Sequence, residues 1–81
     1  MEALSGKEKV VGLKQVRRAV ENDRAAAVYL GCDADPRLIA PLETLCREKG
    51  VDCVAHYTMQ QLGAACAIAV GTAAAAVLRT Q

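Results

Sequence analysis

The sequence predicts an α/β fold, a three-layer α/β/α sandwich built on a mixed, mostly parallel sheet. Apolar residues make up 53% of the 81 residues, yet there is no Trp or Phe and the aromatic rings are those of Tyr29 and Tyr57. A core of Ala, Val and Leu has to come from elements that approach closely. The apolar pattern also switches repeatedly between short continuous runs and stripes at helical spacing, the signature of strands covered on both faces alternating with helices.

Val10 and Val11, ending at Gly12, read as a short strand, and Leu13, Val16 and Val20 then recur at i, i+3 and i+7. That stripe predicts a helix from Leu13 to Glu21, with Lys14, Arg17, Arg18 and Glu21 on its opposite face. Asn22, Asp23 and Arg24 form a polar turn before the apolar run Ala26 to Gly31, which has the length of a strand. Asp35 is placed as an N-cap with Pro36 at the first helical position. Pro41 removes a backbone bond six residues in, so the helix either kinks there or takes up its regular path nearer Pro41. Leu38, Leu42, Leu45, Cys46 and Lys49 share one helical face, and Gly50 is a natural stop. Val51 to Tyr57 reads as a strand, Thr58 caps a short helix from Met59 to Ala65, and an Ala/Val strand from Thr72 to Arg79 closes the domain. The order β, α, β, α, β, α, β favours parallel crossovers, and the length suits one domain, 1–81.

Net charge is +1, but from Lys7 to Arg18 there are five Lys or Arg against the single acid Glu8. The positive potential is local, and it sits where a strand gives way to a helix. No charged region followed by an apolar one opens the chain, so a cytoplasmic location is expected. The apolar stretch from Leu62 to Leu78 is broken by Gly63, Gly71 and Thr72 and does not suit a membrane span. Cys32, Cys46, Cys53 and Cys66 show no C-x-x-C spacing and each lies in an apolar run, so all four are expected to be buried reduced thiols, with no metal. Asp33 and Asp35 fit a turn and a cap better than a metal or catalytic pair. His56 falls in a predicted strand with no Ser or Cys nucleophile in a known arrangement. No enzyme and no cofactor are therefore expected, and the few aromatics leave no platform for stacking single-stranded RNA.

Three stretches in order carry a family resemblance: Gly12 to Arg18; Gly31, Cys32, Asp33, Ala34, Asp35, Pro36; and Leu62, Gly63, Ala64, Ala65, Cys66 leading into Ala67, Ile68, Ala69, Val70, Gly71. Over about Val10 to Leu78 the chain resembles the ribosomal protein L7Ae and L30e superfamily, whose members bind kink-turn RNA, and most of all its short bacterial members. The resemblance implies a non-enzymatic, ribosome-associated protein that recognises helix–bulge–helix RNA with tandem sheared G·A pairs. In archaeal members the first motif reads Gly-Thr-Asn-Glu-x-x-Lys, and its Asn, Glu and Lys face guanine edges. Lys14 stands at the Asn position, Gln15 at the Glu position and Arg18 at the Lys position, in what looks like the bacterial version of the motif. The second RNA-facing element in the family is usually Gly-Ile-Glu-Val, where this chain has Ala67, Ile68, Ala69 and Val70. Ile68 and Val70 keep apolar contact with extruded bases, whereas Ala69 cannot accept a hydrogen bond from RNA or orient the basic helix. Weaker or less selective binding is the implied consequence.

The chemistry of the residues agrees with that implication. A-form RNA exposes base edges only where it is bent, bulged or unpaired. Gly12 lets the backbone approach closely, Leu13 opens the helix, and the helix N-terminus offers N–H groups to phosphate. Lys14, Gln15 and Arg18 project from neighbouring turns of one face. Arg18 can span guanine O6 and N7, while Arg17, Lys7 and Lys9 supply sequence-blind phosphate contacts. The expected partner is thus structured RNA, whether ribosomal RNA or a riboswitch, and neither DNA nor a membrane, bound by a monomer. The other reading is a protein-interaction or scaffold module of the same fold with weak or no RNA binding.

Overall fold

A computed structural model describes residues 8–79. Lys7 and the stretch 1–6 lie outside the described residues. The elements run β1 (Lys9–Val11), α1 (Leu13–Glu21), β2 (Ala25–Leu30), α2 (Pro36–Lys49), β3 (Asp52–Val54), α3 (Met59–Ala65) and β4 (Ala74–Leu78). The four strands form one mixed sheet in the order β1-β4-β2-β3.

Most of the sheet is antiparallel, which corrects the mostly parallel expectation. β2 and β3 pair in parallel, but β4 lies between β1 and β2 and runs antiparallel to both. The cause is the path after α3. A full crossover helix would carry the chain to the far end of the sheet, but here the chain doubles back along its own helix. Thr72 N–H donates to the carbonyl of Met59, the first residue of α3, at 3.1 Å. β4 therefore enters the sheet at the end where β3 left it and has to run in reverse.

Successive residues of a strand face opposite sides, and the apolar residues divide accordingly. Ala74 and Ala76 of β4 and Val28 and Leu30 of β2 join Val16 and Val20 of α1 and Leu42 and Cys46 of α2 in one cluster. Ala75 joins Leu62 and Cys66 in a smaller cluster, with Val11, Tyr29, Tyr57 and Val77 packed around it. Alanines at the centre of the sheet let the helices close in. Full burial of the leucines and valines of the larger cluster contributes about 1.5–3 kcal/mol each.

The helix ends follow their residues. Asp35 caps α2 by accepting from Arg37 N–H at 2.9 Å, and Gly50 ends it in the left-handed conformation at φ 69°. α2 runs unbroken through Pro41, which is exposed. Thr58 and Gln61 close a reciprocal capping box at the start of α3. At its far end Ala67 takes φ 60°, with Ile68 N–H donating to Gly63 C=O at 3.0 Å and Ala67 N–H to Ala64 C=O at 3.1 Å. This is the Schellman pattern with Ala where Gly is usual.

Other expectations need adjusting. Leu38 is 53% exposed, because the α2 stripe that meets the sheet is centred on Leu42 and Cys46. Cys32 and Cys53 are exposed while Cys46 and Cys66 are buried, all four as free thiols. Cys32 follows β2 in a loop, and Cys53 lies on an edge strand with a neighbour on one side only. β3 ends at Val54, so His56 sits in a loop; there the chain turns to let Tyr57 C=O accept from Cys32 N–H at 2.8 Å. β4 is also shorter than expected, because Thr72 uses its side chain to bond Ala74 C=O at 2.9 Å before the strand begins.

Candidate nucleic-acid interface

The proposed basic surface begins at Gly12, whose φ of 101° and ψ of 149° suit glycine alone among the residues. Its N–H donates to Ala74 C=O at 2.9 Å, and its own C=O accepts from Val16 N–H at 2.9 Å. The first turn of α1 is thus anchored to the start of β4. No side chain caps this helix and no acid stands in its first turn, so its N-terminal N–H groups and partial positive charge face outward.

Val16, Ala19 and Val20 are buried, which turns Lys14, Gln15, Arg17 and Arg18 to solvent, with Leu13 half-buried at the edge. Among the described residues Lys14 and Arg18 have no ion-pair partner, and Arg17 makes one loose exposed pair with Glu21 at 3.8 Å. Gln15 curls back so that its Oε1 lies over Gly12. Lys9, also read as a phosphate contact, stands at the far end of β1 opposite Val77, and its charge acts on the Cys66 thiol.

Ile68 (37% exposed) and Val70 (71% exposed) stand out of the loop between α3 and β4, with the exposed Ala69 between them. No direct bond joins this loop to α1 among the described residues. A chain of short bonds brings both to one end of the sheet instead. Gly31 N–H donates to Ala73 C=O at 2.8 Å, and Met59 N–H donates to an Asp33 carboxylate oxygen at 2.8 Å. Together with the Thr72–Met59 and Gly12–Ala74 bonds, these tie the ends of β1 and β2, the start of α3 and the start of β4 into one rim. The Asp33 bond was not legible from the sequence: its partner is 26 residues away. Ligands of open α/β sheets commonly bind at the carboxyl ends of strands, and this rim holds the ends of β1 and β2.

Among the described residues no group of three or more His, Cys, Asp or Glu could hold a metal ion. No helix there is long and apolar enough to cross a membrane.

The model of the ribosomal protein L7Ae/L30e/S12e/Gadd45 family matches residues 1–81. The chain belongs to this family. It is 41% identical over 69 residues to an RNA-binding protein of Bacillus pumilus, an alignment covering 85% of this chain and 84% of that one. It is 42% identical over 69 residues, with the same coverage of 85% and 84%, to an RNA-binding protein of Caldanaerobacter subterraneus. Among solved structures, the Giardia lamblia 15.5kD RNA binding protein superposes with a TM-score of 0.84 at 28% identity, over 90% of this chain and 62% of that one. For this L7Ae/L30e family member, the α/β fold with a mixed sheet, expected from the sequence, is the fold of its structural neighbour.

Proposed function

We propose that this protein is a non-enzymatic, monomeric RNA-binding protein of the cytoplasm that recognises kink-turn RNA through α1 and the loop before β4. The observation that carries the reading is the uncapped start of α1. It presents exposed Lys14, Gln15 and Arg18 around Gly12, on the rim that also carries Ile68, Ala69 and Val70. Lys14, Gln15 and Arg18 read the exposed edges of tandem G·A pairs, Arg17 and the helix N-terminus hold phosphate, and Ile68 and Val70 meet unstacked bases. Gly12 and Leu13 let the RNA backbone come close. The relatives named as RNA-binding proteins support the general part of this reading.

The test is a titration against a kink-turn RNA and against the same RNA with its G·A pairs converted to Watson–Crick pairs, at two salt concentrations. Tight binding to the first alone is the expected result. Equal, salt-sensitive binding to both would reduce the site to a basic patch, and binding to neither would move the reading to a protein-interaction module. Ribosome association is part of the proposal, and cosedimentation with ribosomal subunits checks it.

A further inference from the structure

We propose that the groove between α1 and α2 is a second RNA-binding surface, which seats a nucleotide of the strand flanking the kink. The inference rests on the kink-turn reading. The groove is open and holds about 460 Å³, within the range of sites that take small ligands. Its apolar wall is made by Leu38, Pro41 and Leu42, and its cations are Lys14, Arg17 and Arg37. No Asp or Glu lines it. An anionic partner with a flat apolar part fits this combination, and a nucleotide has both.

Arg37 is ion-paired with Asp35 yet keeps donors that can meet a phosphate. Its Nε and Nη2 atoms are engaged by the Asp35 carboxylate at 3.2 and 2.8 Å, while the side chain remains 89% exposed. That grip fixes the guanidinium plane and leaves the Nη1 donors free to meet a phosphate oxygen. A donor held in place beforehand loses less freedom on binding. Leu38, in the first turn of α2, offers an aliphatic surface to the ribose or base. Lys14 belongs to both this groove and the base-reading set, so a strand leaving the kink over Lys14 runs along Arg17 to Arg37. This continuity favours RNA over an acidic protein segment as the occupant.

The experiment compares a minimal kink-turn RNA with the same RNA carrying a single-stranded overhang on either flanking helix in turn. The proteins are wild type, an Arg37→Ala/Leu38→Ser double variant and Arg37→Lys. One overhang is expected to tighten wild-type binding about tenfold, through one phosphate contact together with burial of a ribose or base against the aliphatic wall. The double variant loses that gain, and its log-log salt slope on the extended RNA falls by roughly one. Arg37→Lys keeps part of the gain because it retains the charge without the planar fork. Unchanged affinity of the double variant for the minimal RNA serves as the folding control. The proposal is overturned if neither overhang tightens wild-type binding, or if the gain survives in the double variant. A wild type that does not distinguish the kink from its Watson–Crick control removes the kink-turn reading itself, and this surface with it.

Discussion

The carbonyl oxygen of Val70 lies directly against the α-carbon of Gly63, so close that a methyl group on Gly63 would run into it and into Gly71. The loop carrying Ile68 and Val70 is thereby laid on the flank of α3, one turn from the helix end. Glycine here serves packing and not conformational freedom, since it lies inside a regular helix.

Gly63→Ala should therefore destabilise the protein by about 1–3 kcal/mol, as overpacking does, despite the better helix propensity of Ala. It should also weaken RNA binding by displacing the loop. Urea denaturation and RNA titration of the same variant check both; a stabilised variant would mean that the loop is not seated on α3.

Arg18→Ala should cost about 1–3 kcal/mol in affinity for kink-turn RNA and relax discrimination against altered G·A pairs. Its fold should be unaffected, because Arg18 is exposed and without an ion-pair partner among the described residues. Unchanged affinity and selectivity would take Arg18 out of the site.

Ala69→Glu returns an acceptor to the exposed tip of the loop between Ile68 and Val70. A hydrogen bond to a charged group is worth roughly 1.5–3 kcal/mol at best, so binding to kink-turn RNA should tighten by up to that amount. A purely electrostatic site would instead bind more weakly after gaining a negative charge, and competition between the two RNAs tells these apart.

The side chain of Arg37, and after it the Arg37 backbone N–H, holds the Asp35 carboxyl below its ordinary value of 3.8. The folded state thus favours the carboxylate. Its contribution is present above the unfolded value and is lost as pH falls through the lower folded one. Asp35→Asn keeps an oxygen at the cap but loses the charge, so its melting temperature should fall below that of wild type near neutral pH. The gap should close as pH falls well below the ordinary carboxylate range. Melting curves of both proteins across that range give the answer, and a gap independent of pH would contradict it.

The four thiols should separate by reactivity. Cys53 is exposed as a residue, but desolvation of its sulfur pushes the thiol up to about 12, helped by its neighbour Cys46, which is itself raised by burial. Burial raises Cys66 too, with Lys9 pulling slightly the other way. Alkylation proceeds through the thiolate, so iodoacetamide near neutral pH should modify the exposed Cys32 first and the other three only in denaturant. Peptide mass spectrometry reads the order; equal rates at Cys32 and Cys53 would show that exposure alone governs.

The helices were legible in the sequence because their signals are local. Asp35 before Pro36, Thr58 three residues before Gln61, and the Leu13–Val16–Val20 stripe each fix a boundary through neighbours within a turn or two. The basic face of α1 was legible for the same reason. Strand direction was not, since it depends on Thr72 reaching back to Met59 and on Val70 seating on Gly63, contacts that no periodicity reports. The exposure of Leu38 and Cys53 has no local signal either. Both are apolar residues in apolar company, and only the placement of α1 beside α2 and of β3 at the sheet edge decides which are covered. The groove at Arg37 joins two helices and has no sequence motif of its own.

The reversed entry of β4 also sets an order of assembly. Among the described residues β1 pairs with β4 alone, and β2 reaches β1 through it. While the chain is being made, the first three strands can form no more than the β2–β3 pair. The residues that anchor Gly12 and Gly31, Ala74 and Ala73, emerge after every side chain proposed to touch RNA. The binding rim thus comes into existence with the last strand, and a nascent chain stopped short of Ala74 carries the basic helix without the platform that aims it.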